Sequence, residues 1–197
     1  DFIDHQSIAR AEVEDDKLVI KDAGAAYRVL VFPDMDAVRW TSIEKAAAFN
    51  AAGGMVMAVG AVPSASDRAG RNDAELDEMV EKAFLADRRL ADVDATVEMI
   101  ANAFVHDVRG INKGVVAQHR RIGPRDIYMV MGSTPGNVVA FRARGAAELW
   151  DPWTGEARPL TVVAETETGT QVELPLEPFE AQIVVFTPGS HCRTGAA

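Results

Sequence analysis

Tyr27-Arg28-Val29-Leu30-Val31-Phe32-Pro33 is a short aliphatic run closed by a proline, the pattern of a strand covered on both faces. A helix is expected next. Thr41 and Glu44 stand three apart as a capping box, Ile43, Ala46, Ala47 and Phe49 make an apolar face, and Gly53-Gly54 supply a left-handed stop. Met55-Val56-Met57-Ala58-Val59 follows at once as a second buried strand, so the three segments read as one βαβ unit with a right-handed crossover.

Working outward, Leu76, Met79, Val80, Ala83 and Phe84 recur at helical spacing, and Val93, Val97, Ile100 and Phe104 repeat that stripe behind a cap at Asp92 or Asp94. Upstream, Asp1-Phe2-Ile3 reads as the end of a strand and Lys17-Leu18-Val19-Ile20 as a short edge strand. The expectation for residues 1–112 is an incomplete flavodoxin-like open α/β domain whose first strand and helix are missing. Beyond Gly114 the period changes to two: 115–119, 127–131, 138–142, 147–150, 160–164, 171–174 and 182–186 are extended runs. Turn signals separate them at Gly123-Pro124, Pro135-Gly136-Asn137, Pro152 to Gly155 and Thr168-Gly169. Residues 113–190 are therefore expected to form an antiparallel β-sandwich domain, with 191–197 as a tail.

The 197 residues are 48% hydrophobic and 25% charged, which fits a packed chain and excludes collagen-like repetition or disorder. Thirty acidic against 20 basic side chains give a net charge of −10, a field that repels phosphate backbones and anionic headgroups, so neither nucleic acid nor a membrane is an expected partner. No apolar run reaches the ~20 residues of a membrane-spanning helix. The single cysteine, Cys192, closes no intrachain disulfide, and no spacing among the four histidines suggests a metal site. The chain begins at Asp1 with no leader pattern, and the expectation is a piece of something longer.

No nucleophile elbow, dinucleotide fingerprint, phosphate loop or His-Glu-x-x-His is present. Asp34 and Asp36 leave the carboxyl end of the first strand, where open α/β sheets place ligands, and Asp4-His5 leave the preceding one. Paired carboxylates suit glycoside chemistry, and the same residues suit turns before a helix. The loop Ser66 to Asp73 reads as a ligand grip or as a solvated loop with ion pairs and a cap at Asn72 or Asp73. Gln118-His119-Arg120-Arg121 reads as an anion attractor or as the polar face of a strand. Trp153, in the turn Trp150-Asp151-Pro152-Trp153-Thr154-Gly155-Glu156, offers a stacking platform for a sugar ring or an ordinary hairpin residue. The candidate carbohydrate-binding residues are thus Trp153, Asp34 and Asp36, with no metal ligand and no residue assigned to catalysis.

The run Tyr27 to Pro33, the stretch Ala52-Gly53-Gly54-Met55-Val56 with Val59-Gly60 and Ser66-Asp67-Arg68, the segment Glu148 to Glu156, and Phe179 to Phe186 resemble the C-terminal part of large bacterial glycoside hydrolases. The resemblance is to α-L-rhamnosidase-like enzymes of glycoside hydrolase family 106, over residues 1 to about 189. It implies a parent that hydrolyses terminal α-L-rhamnosides with carboxylates on an upstream (β/α)-barrel and an associated calcium ion. No residue here aligns with that acid or base, so none is carried over. What the resemblance implies for this chain is a non-catalytic, accessory region without a cofactor of its own, partnered by the upstream catalytic domain of the same polypeptide and in some settings by carbohydrate. Bacterial enzymes of this type occur both inside and outside the cytoplasm, and the acidic balance fits either location. Two other readings stand beside it: a stand-alone carbohydrate-binding or protein-interaction module, and a self-contained α/β enzyme using Asp34 or Asp36.

Overall fold

The computed structural model describes residues 2–110, 115–132, 136–175 and 180–189. It divides into two units, Asp1–Ala103 and Phe104–Ala197, each with its own apolar core. Among the described residues no helix is long and apolar enough to cross a membrane.

The first unit corrects the flavodoxin-like expectation. Instead of one open sheet it holds three separate three-stranded sheets. The strands Glu12–Glu14, Lys17–Ile20 and Ala25–Tyr27 form an antiparallel sheet, with Lys17–Ile20 at its centre and not at the edge of a wider sheet. Val29–Phe32, Met55–Val59 and the two-residue Arg89–Leu90 are joined in parallel. Ala37–Val38 pairs in parallel with Ala65–Ser66, which pairs antiparallel with Gly70–Arg71. The physical reason is punctuation. Asp15 (φ 52°), Gly24 (φ 60°), Pro33, Pro63 and Gly70 (φ 73°) interrupt the chain so often that no strand here exceeds the five residues of Met55–Val59. Pieces this short cannot carry the wide, helix-covered parallel sheet of a doubly wound fold.

Phe2 and Ile3 are not in a strand either; Asp1 lies outside the described residues. Asp4 caps a short helix, His5–Arg10, by accepting from the Gln6 and Ser7 N–H groups at 2.9 Å each. The longer helices Trp40–Ala51 and Ala74–Ala83 bury Ile43, Phe49, Leu76 and Val80 against Leu18, Leu30, Phe32 and Val56. Phe32 and Phe84 meet edge-on at 5.2 Å.

In the second unit the twofold alternation of the sequence is realised in some strands and not in others: Ala181–Thr187 buries Val184, Val185 and Phe186 in succession. Asn137–Phe141 and Ala146–Trp150 alternate strictly between buried and partly exposed positions. The described strands form two antiparallel sheets. One has the order Val108–Gly110, Asn137–Phe141, Gly169–Leu174, Val162–Thr166; the other has Val116–Ile122, Arg125–Met131, Ala181–Thr187, Ala146–Trp150, Ala157–Pro159. Both feed one core, in which Tyr128, Phe141 and Phe186 meet at centroid distances of 4.9, 5.3 and 5.9 Å. The expected boundary at residues 112 and 113, Pro135 of one turn, Phe179 and the tail 191–197 with Cys192 lie outside the described residues.

The Gly53-Gly54 stop is realised as a paired helix ending. Gly53, at φ 94°, donates to the Asn50 carbonyl at 3.0 Å, and Gly54 donates to the Phe49 carbonyl at 2.9 Å. The two glycines are needed for different reasons. Gly53 has open space but a left-handed backbone; a methyl on Gly54 would sit 2.1 Å from the ring of Phe49, which is fully buried. In urea denaturation, Gly53→Ala should lose roughly 1–2 kcal/mol to left-handed strain and Gly53→Asn less. Gly54→Ala should lose about 1–3 kcal/mol from overpacking, with no rescue by Asn.

Candidate functional site

The strand-end crevice of the first unit is where sequence pointed, and its aspartates turn out to organise backbone. Asp34 follows the Val29–Phe32 strand and its Oδ1 accepts the Ala61 N–H at 2.8 Å. Gly60, at φ 78°, passes so near that a Cβ there would lie 3.0 Å from the Asp34 side chain. The Asp36 carbonyl accepts from Ser64 and Ala65 at 2.9 and 3.1 Å, and its 80%-exposed carboxylate lies 3.8 Å from Arg71. Together these bonds tie the segment after one parallel strand to the segment after its neighbour. A cavity of about 240 Å³ opens beside them, lined by Ile3, Ile8, Leu30, Phe32 and Met35 with His5, Arg39 and Ser42 as polar members. Asp34 and Asp36 do not line it, and Asp4 is occupied with its helix cap.

The loop Ser66 to Asp73 has the form of an ion-paired loop with a helix cap. Asp73 accepts the Glu75 N–H at 3.1 Å and pairs with Arg68 at 2.8 Å, while Arg68 also reaches Glu75 at 2.7 Å. The Arg68 guanidinium lies 3.5 Å from the centroid of Trp40, a cation–π contact. Asp67 supplies what the start of the Trp40–Ala51 helix lacks. Arg39, at the cap position, makes no side-chain cap bond, so the expected capping box at Thr41 and Glu44 is replaced. Asp67 accepts instead from the Trp40 N–H at 2.8 Å and from Arg39 Nη1 at 3.1 Å. These two bonds, the backbone one first, hold the Asp67 carboxyl below the usual aspartate value. The Arg68 guanidinium does the same for Asp73.

Trp153 is 92% exposed in the second unit. It stands on a turn in which Asp151 Oδ1 accepts the Trp153 and Thr154 N–H groups at 2.8 and 3.3 Å, while Gly155 donates to the Asp151 carbonyl at 2.9 Å. The ring is therefore held out by a braced turn. Trp150, by contrast, is half-buried and donates from Nε1 to Glu148 at 3.1 Å.

One charged cluster was not foreseen. His119, whose sequence context offers an anion attractor or a polar strand face, stacks on Tyr128 at 4.2 Å and sits between two carboxylates. Its Nδ1 is 3.3 Å from Asp107 and its Nε2 is 3.0 Å from Asp126, while Arg142 closes on Asp107 at 2.6 Å. The buried Tyr128 hydroxyl finds no hydrogen-bond partner among the described residues, and burial, with Asp107 and Asp126 nearby, pushes its ionisation well up. Four separate segments contribute these side chains, so no local spacing announces them. Among the described residues no group of three or more His, Cys, Asp or Glu side chains is arranged to hold a metal ion. The calcium implied by the resemblance therefore meets no fitting donor set among the described residues.

With this geometry in place the comparisons define the class, a glycoside-hydrolase-related region. The glycoside hydrolase 106 family, described as alpha-L-rhamnosidase, matches residues 1–163, and the chain belongs to that family. Among solved structures it is similar to an apo exo-carrageenase GH42 from Bacteroides ovatus, at 12% identity and a TM-score of 0.38, over 81% of this chain and 22% of that one. The chain thus spans about a fifth of that structure's length. No curated protein matches it.

The Asp67 contacts carry a pH dependence whose sign follows from the lowered carboxyl. Its stabilisation is complete above the ordinary value of 3.8 and fades as pH falls through the depressed folded value, because the proton binds the unfolded chain more readily. Wild type should therefore exceed Asp67→Asn in urea midpoint at pH 7, and the gap should shrink by pH 3. A gap that widens in acid would mean the charge is not what holds the helix start.

Proposed function

We propose that this chain is a non-catalytic region of a bacterial glycoside hydrolase acting on terminal α-L-rhamnosides, and that it supports the upstream catalytic domain of the same polypeptide. Membership of the family over residues 1–163 carries this reading. The placement of the candidate carboxylates supports it. General acid–base work on a glycoside requires two carboxyl groups facing one bond, separated by about 5–9 Å, with at least one in surroundings that raise its pKa. Asp34 instead braces the Gly60–Ala61 turn, Asp36 stands in solvent, and Asp4, Asp67 and Asp73 serve helix starts, three of these carboxyls being pushed down and not up.

Trp153 favours a second reading, a carbohydrate-binding module. An indole presented on a braced turn loses little conformational freedom on stacking against a sugar face. One set of measurements separates the two. The purified chain, assayed on an aryl α-L-rhamnoside, is expected to give no turnover, and robust turnover abolished by an Asp34 or Asp36 substitution would overturn the proposal. Titration of wild type and Trp153→Ala with rhamnose-containing oligosaccharides tests the second reading. Binding that falls about tenfold on removing the ring supports it, and equal absence of binding removes it.

A further inference from the structure

The outward face of the four-stranded sheet in the second unit carries a cavity of about 390 Å³, at the lower end of the range for ligand clefts. Sheet register explains why it is there. Arg109 pairs with Ala140, and Ala140 pairs with Gln171, so the three lie in one cross-strand row. The neighbours of Ala140, Val139 and Phe141, are buried in the core, which turns Ala140 to the opposite face. A methyl group thus lies between two long polar side chains. Gly169 deepens the depression, for its backbone runs so close to the Phe141 carbonyl that a Cβ would lie 1.9 Å from that oxygen. Arg142, Thr168 and His106 complete the wall.

The chemistry of the wall is one-sided. In a chain of net charge −10, no carboxylate lines this cavity among the described residues, while two guanidinium groups do. Arg142 is neutralised by Asp107 at 2.6 Å. No carboxylate among the described residues pairs with Arg109, which leaves one uncompensated cation. A planar guanidinium matches a carboxylate through two parallel N–H···O bonds, and an amide and a hydroxyl beside it match alcohol groups on a ring. We propose that this cavity is a binding subsite for a sugar acid, a hydroxylated ring bearing one carboxylate, with Arg109 donating to the carboxylate and Gln171 and Thr168 meeting ring hydroxyls. The choice of a sugar as the ring rests on the glycoside-hydrolase reading above; the binding of a carboxylate rests on the cavity alone.

The full 197-residue chain is titrated by calorimetry and by amide chemical shifts with D-glucuronate, D-glucose and inorganic sulfate, and so are Arg109→Gln and Ala140→Leu, which alter an exposed charge and fill the cavity from its outward side. Unchanged thermal midpoints certify that both variants fold. The expected result is glucuronate binding that perturbs the amides of Arg109, Ala140 and Gln171, weakens with salt, and drops about tenfold in each variant. Glucose and sulfate should each bind at least about tenfold more weakly than glucuronate, since each satisfies only part of the wall. Sulfate binding as tightly as glucuronate would overturn the sugar assignment, and glucose doing so would overturn the role of Arg109. No binding, or binding unchanged by both variants, would overturn the subsite altogether. None of these outcomes depends on rhamnoside turnover, so the subsite and the proposed function fail separately.

Discussion

A backbone N–H at a turn or helix start must find an acceptor, and in this chain aspartate side chains supply it again and again. Asp4 serves the helix His5–Arg10, Asp67 the helix Trp40–Ala51, Asp73 the helix Ala74–Ala83 and Asp92 the helix Val93–Ala103. Asp34 holds the segment after Met55–Val59 and Asp151 holds the turn bearing Trp153. Each bond is modest on its own. Their joint effect is geometric, because in a unit of short strands these contacts decide where each segment enters and leaves its sheet. At Asp4, Asp67, Asp73 and Asp151 the hydrogen bonds favour the ionised carboxylate, the opposite of what a general acid on a glycosidic oxygen needs.

The second unit relies on a different constraint. Its apolar core is closed by aromatic edges, and Tyr128 brings a hydroxyl into it with no acceptor among the described residues. Asp107 and Asp126, flanking the His119 ring that stacks on Tyr128, place charge at the margin of the core, and Arg142 balances Asp107. Arg142 then borders the arginine-lined cavity, so the cluster and the cavity share one side chain.

Legibility from sequence followed the range of the interactions. The glycine pair ending the Trp40–Ala51 helix, the stripe of Leu76, Val80 and Ala83, and the alternation of Asn137–Phe141 are local patterns that the structure realises, whereas the stripe expected from Val93 and Val97 is not a buried face, since both side chains stand exposed on the Val93–Ala103 helix. The capping of Trp40 by Asp67 spans 27 positions and displaced the local capping box that sequence favoured. The flavodoxin-like domain failed for the same reason. Periodicity says that Val29–Phe32 and Met55–Val59 are buried strands; it does not say how many neighbours they acquire, and the parallel sheet ends at the two residues Arg89–Leu90. The cavity on the four-stranded sheet was hidden too, because Arg109, Ala140 and Gln171 become neighbours only through strand register.

Whether the aspartates organise backbone or perform chemistry is decided most directly by titrating the carboxyl groups of the whole chain by carbon-detected NMR. The account predicts Asp4 at about 2 and Asp67, Asp73 and Asp151 below the ordinary value of 3.8. An aspartate of the strand-end crevice that titrates near neutral pH would contradict it, because that is the mark of a carboxyl group poised to give up a proton to a leaving sugar.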